Sequence, residues 1–143
     1  MTPHLILPLI AASVFFPISE KAKNTAFFVS NSNYRIVAVR VRWEGNGQSS
    51  GLQITRNSNG DFIGDGGVSV LASDLPTSGG NVKTAPPQED GTTHSPALSP
   101  ISDNLLLVDG QVLGLALTGF PEQQPTGLVV TVFMIPVDPP PGG

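Results

Sequence analysis

The sequence predicts an all-β protein, an antiparallel β-sandwich of two sheets packed face to face. Three observations predict it. Residues 34–43 alternate in twos, with Val37, Val39, Val41 and Trp43 interleaved among Ile36, Ala38, Arg40 and Arg42; a strand sends such residues to opposite faces, whereas a helix would scatter them. Short apolar runs are separated by turn residues drawn from Gly 16 and Pro 14, and no stretch has helical periodicity. The chain is 143 residues long, enough for the core of one domain, and has no cysteine to staple it. Roughly seven to nine strands of this kind suit a jelly-roll or an immunoglobulin-like sandwich. No Cys…Trp…Cys signature supports the second, and a long irregular middle segment suits a jelly-roll-like arrangement better.

Residues 1–24 read as an extended N-terminal arm or as edge strands. Pro3, Pro8 and Pro17 punctuate them, so 5–10 and 13–18 form strands only at a sheet edge or along an arm. The apolar run 5–16 has no Lys or Arg before it, is interrupted by Pro8, and falls short of the roughly 20 residues that cross a bilayer. A structural role is therefore expected for it, in place of a signal peptide or membrane segment.

The sandwich domain is expected over 25–137. Residues 25–30 form a short strand closed by Asn31-Ser32-Asn33. By phase, Val37, Val39, Val41 and Trp43 face the core, Arg40 and Arg42 share the other face with Ile36 and Ala38, and Arg35 points opposite to them. A turn at 44–47 leads to Leu52 and Ile54, alternating with Gln53 and Thr55 in a strand expected to neighbour the previous one. Between Asn59-Gly60-Asp61 and Asp65-Gly66-Gly67, Phe62 and Ile63 read as a local anchor, followed by a short strand at 68–71.

Residues 73–100 are an irregular insertion rich in Pro and Gly; it either crosses the sandwich as ordered chain or becomes ordered on a partner. A strand at 105–108 and its return at 112–118 flank Asp109-Gly110, a two-residue hairpin signal. Leu113, Leu115 and Leu117 lie on one side of the return strand. Gly114, Ala116 and Thr118 lie on the other, small enough for another surface to approach closely. The last strand, 128–137, is apolar on both faces, so its outer side, with Val129, Phe133 and Ile135, is expected to be covered. Residues 138–143, with three consecutive prolines, form a flexible tail.

Chemistry is sparse. Charged residues make up only 13% where an ordinary domain has about a quarter, and a net charge of -4 leaves no basic footprint for nucleic acid. A surface of Ser, Thr, Asn and Gln is cheaper to desolvate in a broad contact than one studded with Lys and Glu. His4 and His94 stand apart without metal-ligand spacing, and no serine elbow, Walker pattern or dinucleotide fingerprint occurs. Asp61 and Asp65 with Gly60, Gly64 and Gly66 superficially suggest a calcium loop but lack the EF-hand order, and read as turn chemistry. No enzyme activity, cofactor or metal is expected. Arg40 and Arg42, above small apolar neighbours, suit either a protein contact or a solvated sheet face.

The stretch 27–45, F-F-V-S-N-S-N-Y-R-I-V-A-V-R-V-R-W-E-G, resembles the opening of the head-decoration, or cement, proteins of tailed bacteriophages. Leu75 and Thr77, residues 105–107, the strand 112–117 ending in Thr118-Gly119, and Val129-Val130-Thr131-Val132 continue the resemblance, which spans about 25–136. It implies a jelly-roll domain, made in the host cytoplasm, that sits as a homotrimer on the outer capsid surface of the virion. There it would bridge subunits of the major capsid protein, with no catalytic residues and no nucleic-acid or membrane partner. The Pro-rich first twenty residues and the insertion 73–100 depart from the pattern.

Together with the doubly apolar last strand, these features mark Leu5, Leu7, Phe15 and Phe16 of the arm, Arg40 and Arg42, and Val129, Phe133 and Ile135 as suspected interface residues. A tail-spike or fibre module on the virion surface is the alternative, though repeats and coiled-coil runs are not seen. An enzymatic or carbohydrate-binding sandwich is a third class, for which one Trp and one Tyr are thin material.

Overall fold

Alternating runs become strands throughout, and the computed structural model, which describes residues 8–77 and 91–138, places nine of them in two antiparallel sheets. They are β1 (Ile10–Phe15), β2 (Thr25–Val29), β3 (Tyr34–Arg42), β4 (Gly51–Asn57), β5 (Val68–Ser69), β6 (Leu75–Pro76), β7 (Leu106–Leu107), β8 (Val112–Thr118) and β9 (Val129–Pro136). The first sheet has the order β1-β9-β3-β7 and the second β2-β8-β4-β5, with β6 also paired to β4. The helical pieces among the described residues are 3-10 turns at Ser102–Leu105 and Pro121–Gln123.

The pairing is nested. β1 pairs β9, β2 pairs β8, β3 pairs β7, and β4 pairs β5 and β6. Ladders between β3 and β9 and between β4 and β8 join these pairs into sheets. Apart from the run β4 to β6, each strand therefore lies in the opposite sheet from the one before it. The inward faces meet in one core, where Ile36, Val39, Val41, Trp43, Val130, Val132 and Met134 pack with Leu52, Ile54, Leu113 and Leu115. Each fully buried aliphatic side chain contributes about 1.5–3 kcal/mol.

The strand at 34–43 forms, but its phase differs from the expected one. Its register with β9 slips between Ile36 and Ala38. Tyr34 and Ile36 before the slip are buried, as are Val39, Val41 and Trp43 after it, while Val37 is 40% exposed. The extra residue of this bulge inverts the alternation. Arg35 consequently lies on the same outer face as Arg40 and Arg42, and Ile36 on the inner one.

Two expected neighbours lie apart. β3 and β4 belong to opposite sheets because the chain from Trp43 to Ser50 arches between them; Gly47 N–H donates to Thr77 O at 2.9 Å, and a Cβ at Gly45 would sit 2.3 Å from Thr126 Oγ1. Asp109-Gly110 does form a turn, with Gln111 N–H donating to Val108 O at 3.0 Å. Yet β7 pairs β3 and β8 pairs β2 and β4, so no hairpin results. Tight two-residue hairpins place the left-handed conformation at the first central position. Here it occurs at the second, Gly110 (φ 87), and the strands splay into different sheets.

At the N-terminal end, one edge strand runs from Ile10 to Phe15, joining the end of the expected 5–10 run to the start of the 13–18 run through Ala11 and Ala12. Leu5 and Leu7 lie outside the described residues, as does the tail beyond Asp138. The insertion crosses between sheets where it is described. It leaves at β6, touches β3 through reciprocal backbone bonds between Val41 and His94 (3.0 and 2.7 Å), then returns beside the second sheet, with Ser99 N–H donating to Val70 O at 2.7 Å.

Candidate functional site

The outer faces of the two sheets differ in what covers them. On the second sheet, Gln53, Thr55 and Asn57 are buried although they point away from the core. Gln53 Oε1 accepts from Leu71 N–H at 2.8 Å and its Nε2 donates to Asp74 Oδ1 at 3.0 Å, so the side chain stands in for a strand partner. Asn57 Nδ2 donates to Gly66 O at 3.0 Å, drawing the loop 58–67 over the sheet. Ile63 of that loop occupies the space above Gly114, where a Cβ would come within 2.2 Å of its Cδ1. The close approach expected at Gly114 is thus made by the chain itself. Phe62, expected to anchor with Ile63, is instead 79% exposed at the loop tip.

On the first sheet, the outer face is built by three adjacent strands. Register places Ala11 of β1, Phe133 of β9 and Ala38 of β3 in one row, Ser13, Thr131 and Arg40 in the next, and Phe15, Val129 and Arg42 in a third. Arg35 lies opposite Ile135 at the far end. Val129, Phe133 and Ile135 are half-buried, while Phe15 is 62% exposed and Leu9, just before β1, is 60% exposed. Among the described strands, β9 contacts chiefly β1 and β3, which flank its outer side chains. The result is a stripe along β1 and β9 that is apolar except for the Ser13–Thr131 hydroxyl pair (2.9 Å) and is bordered by guanidinium groups on β3.

The three arginines are held lightly. Arg35 donates to Ser102 Oγ at 3.2 Å, Arg40 to Val39 O at 3.0 Å, and Arg42 pairs with Glu44 at 3.0 Å with both side chains well exposed. Solvent screens such a pair, so it adds little to stability and leaves the charges available to a partner. Arg56 of β4 is a different case. Burial lowers its pKa from the ordinary arginine value, opposed by the nearby Asp103 carboxylate, and its guanidinium clamps Leu106 O at 2.8 Å together with Asp103 O. It ties the second sheet to β7 and belongs to the fold.

Of the suspected interface residues, the structure brings Phe15, Arg40, Arg42, Val129, Phe133 and Ile135 onto one face. Phe16 is turned the other way and is buried in the core at 6% exposure. Consecutive residues of one strand face opposite sides, so Phe15 and Phe16 cannot both point outward. The residues not anticipated are Arg35 and Val37, whose placement depends on the bulge, and Leu9, Ala11 and Ser13, which share the exposed side of β1.

Elsewhere, the side chains singled out for chemistry are engaged in structure. Trp43 is fully buried, donates to Asn46 Oδ1 at 2.7 Å and stacks on His94 at 4.7 Å; Tyr34 is buried and donates to Asn31 Oδ1 at 3.1 Å. Neither aromatic face is laid open for a sugar. Asp61 accepts from Ser58 N–H at 3.1 Å, and no cluster of three or more His, Asp or Glu that could hold a metal occurs among the described residues. A cavity of about 280 Å³ lies between Asn24, Leu117, Pro121 and Gln124.

No protein-family model matches the chain, and no curated protein and no solved structure matches it at a significant level.

Proposed function

We propose that this chain is a structural binding module of jelly-roll type, a cement protein that fastens its first-sheet outer face to the outside of an icosahedral phage head and bridges neighbouring subunits of the major capsid protein. The observation that carries this reading is the contrast between the two sheets. One outer face is sealed by the chain's own loop, while the other presents Phe15, Val129, Phe133 and Ile135 beside Arg35, Arg40 and Arg42 with no comparable cover among the described residues. An apolar centre with an arginine border is the composition of a protein-binding surface, and the arginines direct it toward an acidic partner. The nested strand order, with first beside last and second beside next to last, supports a jelly roll, an architecture common in capsid proteins. Many weak, repeated contacts over a shell suit a face of this size.

The test mixes the purified chain with empty heads of its own virus and measures co-sedimentation, followed by a density map of the particles. Saturable binding at many symmetry-related sites on the outer surface, lost in Phe133→Asp, is the expected result. Failure to sediment with the heads overturns the proposal. So does density confined to tail or fibre positions, or density forming the shell wall itself.

A further inference from the structure

We infer that the free edge of β1 is a self-association site, and that its occupant is β1 of a second copy of this chain, paired antiparallel about a two-fold axis at Ser13. Phe16 N–H donates to Leu128 O at 2.8 Å, next to the Phe15–Val129 position in the β1–β9 register. In an antiparallel ladder the residues bonded to a given neighbour alternate. Ile10, Ala12 and Val14 therefore turn their backbone groups toward β9, and Ala11, Ser13 and Phe15 turn theirs away. No described residue pairs with that outward row.

The other sheet edges have the features that discourage edge pairing. β5, β6 and β7 are two residues long, and β2 is bulged between Ala26 and Phe28. By contrast β1 is six residues long, carries no charge and no proline, and keeps its register without a slip. Pro8 and Pro17 bracket it and limit the length available for pairing.

Side-chain size favours the chain's own β1 as the partner. With Ser13 opposite the second copy's Ser13, Phe15 falls opposite Ala11 and Val14 opposite Ala12, so these larger side chains meet small ones, and Ile10 at the strand end falls opposite Phe16. One face of the joined strands carries Ala11, Ser13 and Phe15 and continues the exposed outer face of each copy. The two first sheets become one, in the order β7-β3-β9-β1 followed by β1-β9-β3-β7. This two-fold pairing does not depend on the capsid reading, since it takes place in solution between free chains.

The experiment is sedimentation velocity of the purified full chain from ~10 µM to ~1 mM, the range in which a contact of modest affinity is read. The weight-average mass is expected to rise from 14.9 kDa toward twice that value and to stop there. Ser13→Lys sets like charges opposite each other at the axis and is expected to weaken the association at least ~5-fold. The emission of buried Trp43 should be unchanged in that variant, reporting an intact fold.

Because the chain has no cysteine, Ser13→Cys gives a second readout. Directly opposed residues of such a pair lie about 5.5 Å apart, within disulfide reach. Mild oxidation should cross-link Ser13→Cys faster than Phe62→Cys at the exposed loop tip. A chain that stays monomeric throughout, one that forms trimers, a dimer indifferent to Ser13→Lys, or equal cross-linking at the two positions overturns the inference. Loss of head binding with dimerisation intact would count against the proposed function alone.

Discussion

Ile63 stands where a side chain at position 114 would have to be. The Cβ of an alanine there would lie 2.2 Å from Ile63 Cδ1 and 2.9 Å from its Cγ1 and Cγ2, so the loop 58–67 and β8 meet without spare room. Gly114→Ala should force the loop outward and destabilise the protein by about 1–3 kcal/mol. Ile63→Ala, in a Gly114→Ala background, should recover part of that loss. Urea unfolding of the single and double variants measures both, and additive effects would show that the two residues are not in contact in this way.

The bulge in β3 makes a paired prediction. Val37→Thr places a hydroxyl at an exposed position and should change stability by no more than about 0.5 kcal/mol. Val39→Thr buries the same hydroxyl in a site with no solvent access, at a cost of about 1–3 kcal/mol. Uninterrupted alternation would make the two substitutions equal, so thermal denaturation of the pair reads the register directly.

Gln53 substitutes for a strand neighbour by engaging Leu71 N–H and the Asp74 carboxylate. Gln53→Leu fills similar volume but leaves the Leu71 amide without its acceptor, and should cost about 1–3 kcal/mol. Hydrogen exchange at Leu71 and at Ile54, whose N–H donates to the same Gln53 Oε1 at 3.1 Å, should both accelerate, while exchange at Val132 in the other sheet should change less.

Arg40→Ala and Arg42→Ala should each leave stability within about 0.5 kcal/mol of the parent, because neither guanidinium is buried and the Arg42–Glu44 pair is exposed. In the head-binding assay both should weaken association and flatten its salt dependence. Arg56→Met should behave in the opposite manner, lowering the unfolding midpoint through the lost clamp on Asp103 and Leu106 carbonyls.

Much of the fold was legible in residue patterns because strands report their own two-sidedness. β9 shows this best, with Val130, Val132 and Met134 buried on one side and Val129, Phe133 and Ile135 half-buried on the other, in the expected phase. The phase of β3 was not legible before the slip, since the bulge at Val37 belongs to the pairing with β9, a strand distant in sequence. For the same reason Arg35 could not be assigned to the face of Arg40 and Arg42. Asp109-Gly110 marked a turn correctly, but the dipeptide does not state which residue takes the left-handed conformation, and that decides whether the flanking strands stay together. Gly114 announced a close approach without naming Ile63. Phe16 is the avoidable error, because strict alternation across Phe15 and Phe16 sends one of them inward.

The nested order of strands has a consequence for how the protein is made. Ile10 must wait for Met134, and Phe15 for Val129, before the first edge strand has a neighbour. During synthesis, β1 leaves the ribosome long before β9 exists, so both of its edges stay unoccupied until β9 emerges and covers one of them. Such long-range closure slows folding and prolongs the time in which emerging chains can associate wrongly. Nascent chains are thus most vulnerable to mutual entanglement through the segment that reads Ile10-Ala11-Ala12-Ser13-Val14-Phe15.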